Sequence, residues 1–195
     1  FNKMNTFTDY IDCSEFLIEN GYTRADRLIA AGGSAGGLLM GAVANMRPDL
    51  YKVMHAAVPF VDVVSTMLDA SIPLTTNEYK EWGNPNNKAE YDYILSYSPY
   101  DQVKAQDYPN LIVTTGFHDS QVQYWEPMKW VARLRQLKTD DNLLLFDTEM
   151  ETGHSGASGR FKRYKQTAMI FSYFMQILDP TLEQWFLGDL AETSK

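Results

Sequence analysis

The sequence predicts an α/β fold, a parallel sheet flanked by helices on both faces. Three observations carry that expectation. Short apolar, β-prone runs at 27–31, 53–58, 111–115 and 142–146 are separated or followed by helical patterns at 38–46, 124–137 and 161–178. Strands alternating with helices at this spacing build parallel βαβ units. A glycine-rich turn joins the first strand run to the helix after it. Polar residues suited to chemistry follow three different strand runs, and the strand ends of open parallel sheets are where ligands bind.

Taken in chain order, Phe7, Tyr10, Ile11, Ser14, Leu17 and Ile18 repeat at helical spacing, and Gly21 ends the pattern. The run Leu28-Ile29-Ala30-Ala31 then enters Gly32-Gly33-Ser34-Ala35-Gly36, which fits G-x-S-x-G. That is the sequence form of a nucleophile elbow, the strand-to-helix turn that presents a serine Oγ at the top of an α/β-hydrolase sheet. Glycine suits a strained turn where a neighbouring Cβ would collide with strand or helix. The following helix aims its N–H groups at the reacting centre. An ordinary glycine-rich βα turn fits the same pentapeptide, so the remaining chemistry has to decide.

In α/β-hydrolases the catalytic order is serine, acid, histidine. Asp119 follows the run 111–115, and His154 lies in the polar, glycine-flanked Glu151-Thr152-Gly153-His154-Ser155-Gly156 after the run 142–146. The order is met. Ser34 is then the nucleophile, His154 the general base and Asp119 the group that fixes the imidazole tautomer, with the Ala35 N–H an oxyanion donor. The other two histidines read differently: His118 as a surface or pocket-rim residue, His55 as a packed strand residue. Asp62 is an alternative acid that comes early for this arrangement, and a helix N-cap or pocket role suits it better.

These residues sit in longer stretches that resemble the C-terminal part of the catalytic domain in the prolyl oligopeptidase family of serine peptidases, specifically its oligopeptidase B branch. The stretches are AAGGSAGGLLMGA, VPFVDVVSTMLD, SIPLTTNEY with EWGNP, SYSPYDQV, VTTGFHDSQVQYWEPMKWVARLR and GHSGASGRFK. The resemblance carries nucleophile, acid and base onto Ser34, Asp119 and His154. It implies cleavage of short peptides after arginine or lysine, under an N-terminal β-propeller that caps the hydrolase domain. The family grips the basic side chain with acids in a segment like Glu-Phe-Glu-Glu-Trp-Gly-Asn-Pro; here Glu78-Tyr79-Lys80-Glu81-Trp82-Gly83-Asn84-Pro85 keeps the first acid and replaces the second with Lys80. A cation there weakens a strict dibasic preference. Read alone, Glu78, Lys80 and Glu81 also suit a solvated loop. Phe60 resembles an aromatic pocket wall and equally suits a core position. Gln121 stands where the prolyl-specific branch carries arginine.

Composition bounds the rest. With 17 Lys and Arg against 25 Asp and Glu, the net charge is −8, which argues against nucleic acid as a partner. No run approaches the about 18 consecutive apolar residues of a membrane span. The single Cys13 fits a reducing, cytoplasmic setting, and no metal or other cofactor is implied. Residues 1–180 read as part of a hydrolase domain and 181–195 as a tail, a short helix or disordered. The stretch 72–108 has weak periodicity and reads as a long functional loop. The chain opens on Phe1 and shows four strand runs, so it is expected to be a piece of a longer protein, without the propeller, the early strands and the second oxyanion donor. Such a piece would be weakly active or inactive and would have a raw sheet edge open to self-association. Two other readings use the same residues: an esterase or acylaminoacyl-peptidase, and a catalytically inactive interaction domain.

Overall fold

The computed structural model describes residues 1–181; the proposed tail at 181–195 lies almost wholly outside them. Helix α1 (Met4–Glu19) buries Phe7, Ile11 and Ser14. It stops where Gly21, at φ 74°, lets the chain turn back. The Gly21 N–H then reaches the Ile18 carbonyl, and the Tyr22 N–H the Leu17 carbonyl. This paired closure satisfies carbonyls that the helix end would leave bare.

Strands β1 (Ile29–Gly33), β2 (Val53–Ala57), β3 (Asn110–Gly116) and β4 (Leu144–Glu149) form one sheet in the order β1-β2-β3-β4. Every pairing is parallel. The crossovers carry α2 (Ala35–Met46), α6 (Trp125–Leu137) and, after β4, α7 (Arg160–Leu178). Helices α1, α2 and α6 cover one face, where Phe7, Leu38 and Trp130 pack with Met54 and Val113. Helix α7 covers the other, where Tyr173 and Phe174 meet Val53 and Ile112. Each fully buried side chain of this size contributes roughly 1.5–3 kcal/mol. Strand β3 is buried along its whole length, as expected of a strand between two helical layers. No helix among the described residues is long and apolar enough to cross a membrane.

Two strands sit about two residues later than the apolar runs suggest. β1 continues through Gly32 and Gly33 because both stay paired, to Ala56 and Ala57. β4 begins at Leu144 because the Asn142 amide is bonded to the Tyr108 carbonyl at 2.6 Å and the Leu143 N–H to Asn110 Oδ1 at 2.9 Å. The stretch 72–108 is also more structured than a loop. It holds a 3₁₀ turn (Thr75–Glu78), α4 (Tyr79–Trp82) and α5 (Lys88–Leu95), and α3 (Val63–Leu68) precedes it. Asn87 starts α5 by accepting the Ala89 N–H at 3.2 Å.

His55 occupies the α7 face of β2, edge-on to Phe174, with Nε2 3.0 Å from Thr114 Oγ1. Burial lowers its pKa to about 4. The unfolded chain takes up this proton below its ordinary value of about 6.5, while the folded chain resists until about pH 4. Stability is therefore undiminished above pH 6.5 and falls as pH drops toward 4. His55→Gln, which keeps a partner for Thr114, is expected to lose on the order of 2 kcal/mol less than the wild type between pH 7.5 and 4.5. Urea melts at the two pH values check this, and equal losses would disprove it.

Candidate active site

Ser34 joins β1 to α2 at φ 57° and ψ −118°. A non-glycine residue in this region costs about 1–3 kcal/mol and persists only where its surroundings over-determine it. Here they do. The Ser34 N–H donates to the Ala57 carbonyl at 2.9 Å, and the Ser34 carbonyl accepts from the N–H groups of Gly37, Leu38 and Phe60 at 2.9–3.1 Å. A Cβ on Gly32 would lie 2.3 Å from the Gly36 carbonyl oxygen, so only glycine fits there. The expectation for Gly36 is corrected: a Cβ at that position meets nothing within 4 Å. The close approach falls one residue later, where a Cβ on Gly37 would lie 2.5 Å from Pro59.

Asp119 follows β3 with a side chain that is 0 % exposed. Its Oδ1 accepts the backbone N–H groups of Gln121 and Val122, both at 2.9 Å. Its Oδ2 lies 2.7 Å from His154 Nδ1. His154 Nε2 lies 3.1 Å from Ser34 Oγ. With Asp119 ionised, this network assigns the imidazole proton to Nδ1 and leaves Nε2 to accept the serine proton. The loop bearing His154 is held by the His118 N–H, which donates to the Thr152 carbonyl at 2.9 Å. That contact requires Gly116, whose Cβ would sit 2.5 Å from the same oxygen. The His118 side chain is exposed, and His55 stays in the sheet.

Ser34, Ala35, Phe60, Glu78, Trp82 and Gln121 line one cleft. Phe60 packs edge-on against Trp82, with ring centroids 5.4 Å apart. The Trp82 indole N–H donates to Glu78 Oε2 at 2.7 Å, and Oε1 has no hydrogen-bond partner among the described residues. Lys80 is exposed and does not line the cleft, so the replacement of the second acid removes a carboxylate without placing a cation against Glu78. Ala35 opens α2, and no acceptor among the described residues takes its N–H.

Asp62 needs a correction. It occupies the N-cap position of α3, but its side chain makes no capping bond. It is buried and paired with Lys129 instead. Beside it lies Glu126, a buried acid that sequence reasoning missed. Glu126 is 0 % exposed, and burial raises its pKa to about 8. The signal was present, since Glu126, Trp130 and Leu134 recur at four-residue spacing on the apolar stripe of α6. Among the described residues no group of three or more His, Cys, Asp or Glu side chains is placed to hold a metal ion.

A serine hydroxyl bonded to an imidazole that is itself held by a buried carboxylate is equipped for acyl transfer. Comparison with known proteins points the same way. The sequence pattern of the prolyl oligopeptidase family matches residues 2–181. Dipeptidyl aminopeptidase BI of Pseudoxanthomonas mexicana is 60% identical over 178 residues, which are 91% of this chain and 25% of that protein. The structure of oligopeptidase B from Leishmania major superposes with a TM-score of 0.90 at 55% identity, covering 92% of this chain and 25% of that one. Oligopeptidase B from Trypanosoma brucei, in a closed form with covalently bound antipain, gives a TM-score of 0.89 at 53% identity, covering 91% and 25%. The chain therefore spans about a quarter of the length of the relatives it matches.

Proposed function

This chain belongs to the prolyl oligopeptidase family, and on that premise we propose that it carries the acyl-transfer centre of a serine peptidase that cleaves short peptides after arginine or lysine. The observation that carries the reading is the unbroken chain of hydrogen bonds from Ser34 through His154 to Asp119, at the mouth of a cleft that holds Glu78. Ser34 Oγ attacks the scissile carbonyl carbon while its proton passes to His154 Nε2. Asp119 stabilises the resulting imidazolium. The Ala35 N–H donates to the oxyanion. Collapse expels the amine, which takes the proton from Nε2 and leaves an acyl-enzyme on Ser34. Water, deprotonated by the same imidazole, then releases the acid. A second oxyanion donor, further sheet strands and a propeller are supplied by other parts of a longer parent protein. The covalent antipain adduct of the Trypanosoma relative supports attack by a nucleophile in this class of site.

Selectivity comes from Glu78, whose Oε1 is left for a cationic side chain, against the aromatic wall of Phe60 and the polar rim at Gln121. One carboxylate oxygen suits a guanidinium better than an ammonium, because the planar fork loses less freedom per bond. Glu78→Gln is expected to lower kcat/KM on a fluorogenic Arg-Arg peptide about 10²-fold, the cost of one charged hydrogen bond of about 2–3 kcal/mol. Turnover of a p-nitrophenyl ester should stay within about threefold. The full-length protein, assayed on both substrates, tests the reading. Strong ester turnover with no arginyl preference would replace it with an esterase. A second reading, removal of dipeptides from a free amino terminus, is favoured by the name of the 60% identical relative. It requires that blocking the substrate amine abolish turnover.

A further inference from the structure

Selectivity through Glu78 depends on how the wall that bears it is anchored. That wall is the 3₁₀ turn Thr75–Glu78. Thr75, 1% exposed, donates its hydroxyl to the Thr66 carbonyl at 2.9 Å. The Thr66 hydroxyl in turn donates to Glu126 Oε1 at 2.7 Å. The second oxygen of Glu126 accepts the Asp62 N–H at 3.2 Å, two residues after the pocket phenylalanine Phe60. The Glu126 N–H bonds the Gln123 carbonyl at 3.0 Å, within the turn that leads from Asp119 into α6. One buried residue thus ties three pieces of the cleft together: its backbone N–H holds the turn behind Asp119, and its carboxyl holds the segment behind Phe60 and the wall bearing Glu78. Thr66 and Thr75 both line the cleft, and Glu126 lies behind them.

Resting on the peptidase reading above, we propose that Glu126 is a positioning residue for substrate selectivity. It holds the Thr66–Thr75 wall in register with the Asp119 turn, so that Glu78 meets the cationic side chain of the substrate. An amide matches the shape of this carboxyl, whose pKa burial raises to about 8. In Glu126→Gln the carbonyl accepts the Asp62 N–H and the amide faces the Thr66 hydroxyl. Glu126→Met fills the same volume and makes neither bond.

The test compares full-length wild type, Glu126→Gln and Glu126→Met on a fluorogenic Arg-Arg peptide and on p-nitrophenyl acetate, each beside a thermal melt and a rate of fluorophosphonate labelling. Glu126→Met is expected to raise KM for the arginyl peptide about tenfold, while kcat, ester turnover and labelling stay within about threefold. Glu126→Gln is expected to restore KM. Equal losses on both substrates, or an unchanged KM, would reduce Glu126 to a core residue and overturn the proposal alone. A wild type that labels at Ser34 yet shows no arginyl preference would overturn the selectivity reading and this proposal together. If Glu126→Met does not fold, Glu126→Asp, one methylene too short to reach Thr66, runs the same comparison.

Discussion

Ser34→Ala is expected to lower kcat on the arginyl peptide by about 10⁵–10⁶ and to abolish fluorophosphonate labelling. No other hydroxyl is within hydrogen-bond reach of His154 Nε2 among the described contacts. What survives is the contribution of binding and the oxyanion donor, roughly 10³–10⁴ over water. The variant should fold as well as the wild type. Alanine inherits the Cβ that makes φ 57° costly and keeps every backbone bond that pins the turn, so neither strain nor support changes. The melt is therefore expected to move by less than about 0.5 kcal/mol. Equal labelling of wild type and variant would put the nucleophile elsewhere.

The second large effect is expected from Asp119→Asn, a loss of about 10⁴ in kcat. Two backbone N–H groups, from Gln121 and Val122, point at Oδ1. In the variant they hold the amide carbonyl there and turn the NH₂ toward His154. That donor forces Nδ1 to accept, which moves the imidazole proton to Nε2, facing the serine hydroxyl. The base is then occupied by its own proton. Stability should change little, because the side chain keeps its shape and partners. Single-turnover acylation measures the step directly. A rate within tenfold of wild type would show that the carboxylate does not set the tautomer.

The grouping of Ser34, Asp119 and His154 was readable in the sequence because each follows an apolar run. In a parallel sheet such positions converge on one edge of the strands, whatever the intervening helices do. Gly32 was readable for the same reason, since its neighbour Ser34 needs a turn that no side chain clears. The boundaries of β1 and β4 were not, because hydrogen bonding to an adjacent strand extends them through Gly33 and through Asp147 and Glu149, residues depleted in strands. Helices α4 and α5 escaped because they are 4 and 8 residues long, too short for periodicity to register, although Asn87 followed by Glu90 was a helix-start signal. Asp62 and Glu126 were the deepest failures. Nothing in a local window says that one acid will find Lys129, 67 residues away, or that the other will accept from Thr66, 60 residues away.

Strand order in this sheet matches chain order, each new strand adding to the edge left by the last. A ribosome delivering this chain can therefore lay down the layers as they emerge, without threading a late strand between early ones. The serine leaves 120 residues ahead of its base, which at about 5–20 residues per second is roughly 6–24 s of synthesis. Through that interval Ser34 has been synthesised and its base has not. The base reaches Ser34 only when the last described loop docks, so the three residues meet as the final layer of the sheet closes and not before.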